Sequence, residues 1–511
     1  MGDGSRNSKA GSRSRRLTAI LLAGVLAGCT VGPQYKPDQF AVPAGFTDAP
    51  HAATPEEIAR TNAEMQDWWA QFHDAELNAL VRAAIAGNYN LKIADQRIVA
   101  EHQMRQETAS AWYPQVDAMT GGGDDRYSVN IDNWPLRPGN PANRPEASVL
   151  TYGARASWEI DVFGRIRREV EASERAIDES IEARRGVLVT MLADLAGDYM
   201  DMRATQARLE IARHNVRVAQ DALSLTQRLF AHGVGNNLQV SQAQTEYDSE
   251  IARLEPLQAH FDRDAHAIAV LTGQPPGALE EALAAPSPLP VMPPFPQTLP
   301  SIVVANRPDI REAERAYAED TARIGVAVAQ LYPNFSVPLT FNPQASAAYQ
   351  AFQLGGMSWQ FLMLASMPLI HGGRLTAQIA RARATAEASR LHYRQTVLHG
   401  FQEVEDAMSD WQHDTQLVAR LDRASADATL TNQRATRLYG AGLTDFLNVL
   451  SSERTLLDVQ DRLAQAHQAQ LRDAVTLYTA IGAGWQGRAL RDTHLPVDQS
   501  QQNILAKAFS R

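Results

Sequence analysis

The chain has 511 residues, a formal net charge of −10, 44% hydrophobic and 7% aromatic side chains, and a mean hydropathy of −0.31. That balance describes a folded chain, and the excess of acids argues against a nucleic-acid partner, which needs clustered Lys and Arg. A single cysteine excludes an intramolecular disulfide and a cysteine-built zinc site, and no run of 18 apolar residues suggests a conventional transmembrane helix.

The first elements in chain order are those of a leader. Arg6, Lys9, Arg13, Arg15 and Arg16 form a basic start, Leu17–Leu26 is an apolar stretch, and Leu26-Ala27-Gly28-Cys29 follows. This resembles the bacterial lipobox, in which the cysteine thiol takes a diacylglycerol and cleavage leaves that cysteine first in the chain, its amino group free for an N-acyl chain. Residues 1–28 are read as a lipoprotein signal peptide and Cys29 as the lipid attachment, in preference to an ordinary signal peptide or a buried thiol. Removing the leader takes away five basic residues and one acid, moving the net charge from −10 to −14. Several acyl chains make such an anchor stable. Thr30 follows the cysteine where an Asp would signal inner-membrane retention.

Downstream, the chain is written twice. "AHGVGNNLQV" at 231–240 and "GAGLTDFLNV" at 440–449 align at an offset of 209, and Gly164-Arg165 meets Gly373-Arg374 at the same offset. Further upstream the offset is 219, where Tyr113-Pro114 meets Tyr332-Pro333. The intervening segment alone changed length, as surface loops do. Residues 286–300 hold seven prolines and form an extended linker. The expected order is an N-terminal lipid-anchored segment at 29–74, a first repeat at 75–285, the linker at 286–300, a second repeat at 301–485 and a polar tail at 486–511.

Each repeat holds helix and strand. No proline occurs from Glu146 to Glu255 or from Leu369 to Leu495, and Arg165–Ala231 and Arg374–Tyr439 read as near-continuous helix. About 65 residues at ~1.5 Å each make a rod of about 100 Å. Each rod ends at a glycine-bearing turn, Gly233 with Gly235 and Gly440 with Gly442, suited to a C-cap and reversal. On the first return helix Tyr247, Ile251, Leu254, Phe261, Ala265 and Ile268 recur at coiled-coil spacing, with Gln258 in the remaining place.

The length-variable segments alternate as strands do. In "YGARASWEIDVF", Tyr152, Ala154, Ala156, Trp158, Ile160 and Val162 share one face, and Arg155, Ser157, Glu159 and Asp161 the other. In "SWQFLMLASMPLI" at 358–370, Trp359, Phe361, Met363, Ala365, Met367 and Leu369 share a face. Phe335, Val337, Leu339 and Phe341 alternate too, with Pro338 among them. A half-buried strand in a water-soluble protein shows the same pattern. Each repeat thus offers one hairpin, at about 112–163 and about 332–370, with strands near the length that spans an outer membrane. Two hairpins cannot close a barrel, and open edges are not tolerated in lipid, so several chains would share one.

"CTVGPQYKPDQFAVP" at 29–43, "WEIDVFGRIRREV" at 158–170, "NRPDIREAE" at 306–314, "LYPNF" at 331–335 and the paired tips together resemble outer-membrane factor lipoproteins. These are the TolC-like exit ducts of tripartite efflux pumps, here in the NodT-type branch, and the resemblance covers about residues 29–490. It implies a mixed fold: a homotrimer with a long α-helical coiled-coil barrel across the periplasm, an equatorial belt reached by residues 29–74, and a transmembrane β-barrel of four strands per chain and twelve per trimer in the outer membrane. The implied function is passive conduction of drugs or other small toxic compounds. The implied partners are a periplasmic membrane-fusion adaptor docking on the helical tips, an inner-membrane RND-type transporter and outer-membrane lipid. Apart from the acyl groups on Cys29 no cofactor is implied, and thirteen scattered histidines without HExxH spacing suggest no metal site.

Gly233, Gly235, Gly440 and Gly442 are the adaptor-docking candidates, either plain turn glycines or places where an adaptor backbone comes close. Relatives often carry acids just after the second tip, forming a carboxylate ring that narrows the mouth. Here that place reads Val449-Leu450-Ser451, with Asn448 where another acid would stand. The nearest acid is Asp445, whose first-repeat equivalent is the uncharged Asn236. Three copies of Asp445 would ring a trimer axis, or each would cap its own helix. With Tyr439 and Arg437 as latch partners, Asp445 and Asn448 make up the candidate periplasmic gate. Arg307 and Asp309 are expected to brace a helix start with Pro308 in its first turn, and Glu159 and Asp161 to face a lumen. Neither a P-loop nor a G-x-S-x-G is present, so no enzyme is indicated. The main alternative is a lipid-anchored periplasmic coiled-coil scaffold without a pore.

Overall fold

A computed structural model describes residues 30–49, 54–126, 146–345, 353 and 357–488. The expected signal peptide at 1–28, Cys29 and tail residues 489–511 lie outside the described residues. In chain order the structure runs α1 (Pro55–Glu64), a 3-10 segment (Met65–Phe72), α2 (Ala75–Gly87), α3 (Tyr89–Ser110), β1 (Gln115–Arg126) and β2 (Glu146–Ile160). Next come α4 (Arg165–Ala231), α5 (Asn237–Leu271), α6 (Glu280–Leu283), α7 (Pro300–Asn306) and α8 (Pro308–Ala329). The chain then forms β3 (Asn334–Phe341), β4 (Gln344–Ala345), β5 (Trp359–Phe361), β6 (Leu364–Ser366), α9 (Arg374–Gly440) and α10 (Phe446–Ala480). Both α4 and α9 have 67 residues and both α5 and α10 have 35, each pair separated by the offset of 209. Similarly, α3 and α8 have 22 residues each and start 219 apart. No helix among the described residues is long and apolar enough to cross a membrane.

Two compact units are present. One comprises the described residues of 1–38, 100–178 and 314–391 and contains the sheet. Here β1 pairs antiparallel with β2 over 12 residues without a gap, from Gln115 opposite Ser157 to Arg126 opposite Glu146. β2 then pairs with β3 and β4, and β3 with β5 and β6. The six segments occupy four rows, because β3 with β4, and β5 with β6, each keep one register. Proline explains both gaps. Pro343 accepts from the Tyr152 N–H at 3.4 Å and Pro338 accepts from the Leu362 N–H at 3.1 Å, but neither has an N–H to return the second bond. The expected strand over 358–370 is therefore two segments of three residues each, ending at Ser366 two residues before Pro368. Likewise β2 ends at Ile160, so Asp161 and Val162 lie beyond it.

The start of the described chain lies along this unit. The Val31 N–H donates to Phe163 O at 3.2 Å, and the Tyr35 hydroxyl to Glu314 at 2.8 Å. Gly32 has φ +94°, and a Cβ there would sit 2.5 Å from the Cα of Gly325, so these two backbones meet only because both residues are glycine.

The other unit comprises residues 39–99, 179–313 and the described part of 392–511. Its core is aromatic: Trp68 stacks on Tyr478 with centroids 5.3 Å apart and meets Trp69 and Phe72 edge-on. Beside it, Asp74 caps α2 by accepting from the N–H groups of Glu76 and Leu77, both at 2.9 Å. Its second oxygen accepts from the Tyr199 hydroxyl at 2.8 Å, which in turn accepts from Arg203 Nε at 3.0 Å. Arg203 is 1% exposed and pairs with Glu76, the condition for burying a guanidinium at tolerable cost. Pro308 opens α8 as expected, with Arg307 donating to Asp309 at 2.6 Å and to the Ala480 carbonyl at 2.9 Å.

The coiled-coil stripe on α5 holds only in part. Phe261, Ala265 and Ile268 are buried, but in the preceding half Glu246 and Glu250 are buried while Ile251 is exposed. Pro256 lies between the halves and removes one helix hydrogen bond, which lets the buried face change phase.

Candidate functional site

Register decides what each face of the sheet carries. Val116 and Ala118 of β1, Ala154, Ala156, Trp158 and Ile160 of β2, Phe335, Val337, Leu339 and Phe341 of β3, and Trp359 and Phe361 of β5 align on one face. Across the other face runs a row of Asp117, Arg155, Thr340 and Gln360. No described residue covers the apolar face: Val116, Trp158, Leu339, Phe341, Trp359 and Phe361 are all exposed. Leu369 and Ile370, just past the sheet, are 84% and 96% exposed.

The strand-to-helix junctions show what Glu159 and Asp161 do. Glu159 accepts from Arg165 through both oxygens, at 2.8 and 2.9 Å, and Asp161 accepts from the Arg167 N–H at 2.9 Å. Expected as lumen charges, both brace the start of α4. Glu169 adds a third bond to Arg165 at 2.9 Å. In the second half the equivalents of Glu159 and Glu169 are Pro368 and Gln378, and among the described residues the Arg374 side chain is left with Gln378 at 3.4 Å.

At the tips, Gly233 and Gly442 take the left-handed conformation, φ +72° and +73°. The Val234 N–H bonds Leu229 O and the Leu443 N–H bonds Leu438 O, closing the same helix-stopping turn twice. Gly235 and Gly440 have no positive φ, and Gly440 is the last residue of α9. Val234, Leu238, Leu443 and Leu447 leave an apolar, solvent-exposed surface on these turns.

The gate candidates lie around the second tip, where the Asn448 N–H bonds the Asp445 carbonyl at 3.1 Å. Asn236 caps α5 in a capping box with Gln239, but the Asp445 side chain makes no capping bond to α10, so the capping reading of Asp445 is not realised. Asp445, Asn448 and Arg437 are exposed, and Asn448 donates to the Thr444 hydroxyl at 2.7 Å. Tyr439 packs its ring on Phe446 at 5.5 Å, and burial raises its phenol pKa.

Further along the return helices lie carboxylates that sequence reading missed. Glu246, Glu250 and Glu453 are buried together, with Arg454 paired to Glu246 at 2.6 Å. Burial, with Glu246 and Glu250 close by, pushes Glu453 up to about 7. Burial also raises Asp264 and Asp473, each to about 7. The signal was present, since the offset of 209 carries Asp201 to Asp410 and Asp264 to Asp473. No group of three or more His, Cys, Asp or Glu able to hold a metal occurs among the described residues.

A family profile described as outer membrane efflux protein matches residues 80–274 and 299–483. Nodulation protein T of Rhizobium leguminosarum bv. trifolii is 29% identical over 475 residues, 93% of this chain and 98% of its own. The cation efflux system protein CusC of Escherichia coli K12 is 27% identical, over 92% of this chain and 99% of its own. Among solved structures, the outer-membrane channel OprN is 31% identical and superposes with a TM-score of 0.77 over 90% of this chain and all of its own. A CusC structure, 24% identical, superposes at 0.75 over 89% of this chain and all of its own and shares the fold.

Proposed function

The chain belongs to the outer membrane efflux protein family, in its NodT-type branch, as an efflux channel of the outer membrane, and we propose that three copies close one duct through which small toxic compounds leave passively. The observation that carries this reading is the sheet. Its apolar face is aligned across four rows and uncovered by any described residue, while the opposite face carries Asp117, Arg155, Thr340 and Gln360. In lipid the first face is the outside of a barrel and the second its lumen. A sheet with two open edges is not tolerated in lipid, and three chains of four rows supply twelve, enough to close a lumen.

The remaining parts fit around that barrel. An inner-membrane RND-type transporter supplies the energy, and a periplasmic adaptor docks on the tips, where Val234, Leu238, Leu443 and Leu447 offer apolar contact. Thr30 packs against Gly164 at the junction after β2, so acyl chains on Cys29 would start at the rim of the sheet, at the membrane surface. Three copies of Asp445, uncapped and exposed, would present carboxylates to passing cations.

Extraction tests this. The protein should leave outer membranes only with detergent, run as a trimer of the 56.1 kDa chain less its leader, and incorporate labelled palmitate unless Cys29→Ser is made. Monomers released by salt alone would instead support the poreless scaffold.

A further inference from the structure

The two halves carry acid clusters that share two positions, and only the first has an ion-paired cation among the described residues. In the first, Asp194, Asp198 and Asp201 of α4 gather near Asp264 of α5, and Arg472 of α10 pairs with Asp201 at 2.5 Å. Arg472 lowers the pKa of Asp194 and Asp198, and Arg263 and then Arg472 lower that of Asp264, opposing their burial. At the offset of 209, Asp201 and Asp264 become Asp410 and Asp473, and Asp414, whose first-half equivalent is Thr205, completes the second cluster. Asp473 buries one carboxylate oxygen with no hydrogen-bond partner, and burial, Asp414 and Asp410 all raise its pKa with no cation opposing them. The residue equivalent to Arg472 is Arg263 of α5. Arg263 is exposed and meets the His260 ring nitrogen at 2.6 Å, with no ion pair to a carboxylate among the described residues.

We propose that Arg263 of one copy enters the Asp410, Asp414 and Asp473 cluster of the next, repeating between chains the Asp201–Arg472 pair made within each. This rests on the trimeric reading above. When duplicated chains form a closed ring, each contact between first and second repeat inside a chain is echoed between the second repeat and the first repeat of its neighbour. The echo is chemically consistent at a second position. The internal pair of Arg208 with Asp461, 2.8 Å apart, maps onto Leu417 and Ala252, both exposed in the single chain and suited to an apolar contact.

Arg263→Cys combined with Asp410→Cys, treated with a short bis-maleimide in native outer membranes, tests the contact. Covalent dimers and trimers should appear on denaturing gels, and neither single variant should give them. Asp201→Cys with Arg472→Cys should cross-link within the monomer only. Trimers that purify intact yet fail to cross-link would overturn the contact and leave the trimer standing, whereas purified monomers would overturn both. Should the cysteine pair fail to fold, reversing the charges decides. Arg263→Asp or Asp410→Arg alone should lose trimer and the two together regain it; a double variant no better than the singles would overturn the proposal.

Discussion

In the first half, β1 and β2 pair over 12 residues without a gap, Arg165 is held by Glu159 and Glu169, Asn236 caps its return helix, and Arg472 pairs with Asp201 of its acid cluster. The second half repeats the three longest helices at the same lengths but, among the described residues, lacks each of these braces: Pro338 opens its sheet, the Arg374 side chain meets Gln378 alone, Asp445 makes no cap, and Asp473 meets only acids. One copy is complete within a chain and the other is left to be completed. A duplicated unit in a cyclic assembly is free to diverge in this way, because one copy borders its own chain and the other its neighbour's.

Four predictions sharpen or break the comparison. Ala156 and Leu339 are cross-strand neighbours from different halves on the apolar face, so Ala156→Arg and Leu339→Arg should each cost ~2–4 kcal/mol of folding free energy in vesicles if both halves face lipid. Equal stability of either variant and wild type would remove that half from the membrane. The second concerns Glu453, whose first-half equivalent is Gln244. Its folded pKa of about 7 lies above the ~4.3 of an unfolded Glu, so the folded state binds the proton more tightly and stability falls as pH rises from about 4 to about 7. Glu453→Gln removes that loss. Denaturant titration should find it equal to wild type near pH 4 and more stable by ~1–3 kcal/mol near pH 8.

The junctions give a similar contrast. Arg165→Ala breaks charge-assisted bonds and should cost ~1–3 kcal/mol, while Arg374→Ala should change stability by no more than about 0.5 kcal/mol, both read by urea unfolding. Smallest is the effect at the tips. Asn236→Ala should cost ~1 kcal/mol through its lost capping box, and Asp445→Ala should leave stability unchanged because its side chain bonds no helix N–H. A matching loss at Asp445 would mean that both tips are capped alike.

Much of this architecture is written in patterns that repeat along the chain. The absence of proline marks both 67-residue helices, glycine marks their ends, and two-residue alternation sorts Ala154, Ala156 and Trp158 from Arg155 and Ser157. What pattern hides is partnership at a distance. Pro338 was visible in the sequence, but the gap it leaves depends on Leu362 lying opposite, which only register supplies. The roles of Glu159 and Asp161 depend on Arg165 and Arg167 turning back over the junction, six residues away but on a different element. Buried Arg203 gives half a signal: Tyr199 lies one turn away on the same helix, but Glu76, which carries the opposite charge, comes from α2. At the tips, residue type suggested a cap at Asp445 that local geometry does not make.

The most direct test of the channel is single-channel recording of the detergent-purified protein in a planar bilayer, wild type beside Asp445→Ala. The account predicts small stepwise currents from trimers, with cation preference reduced in the variant. Folded trimers that insert without any stepwise current would contradict it.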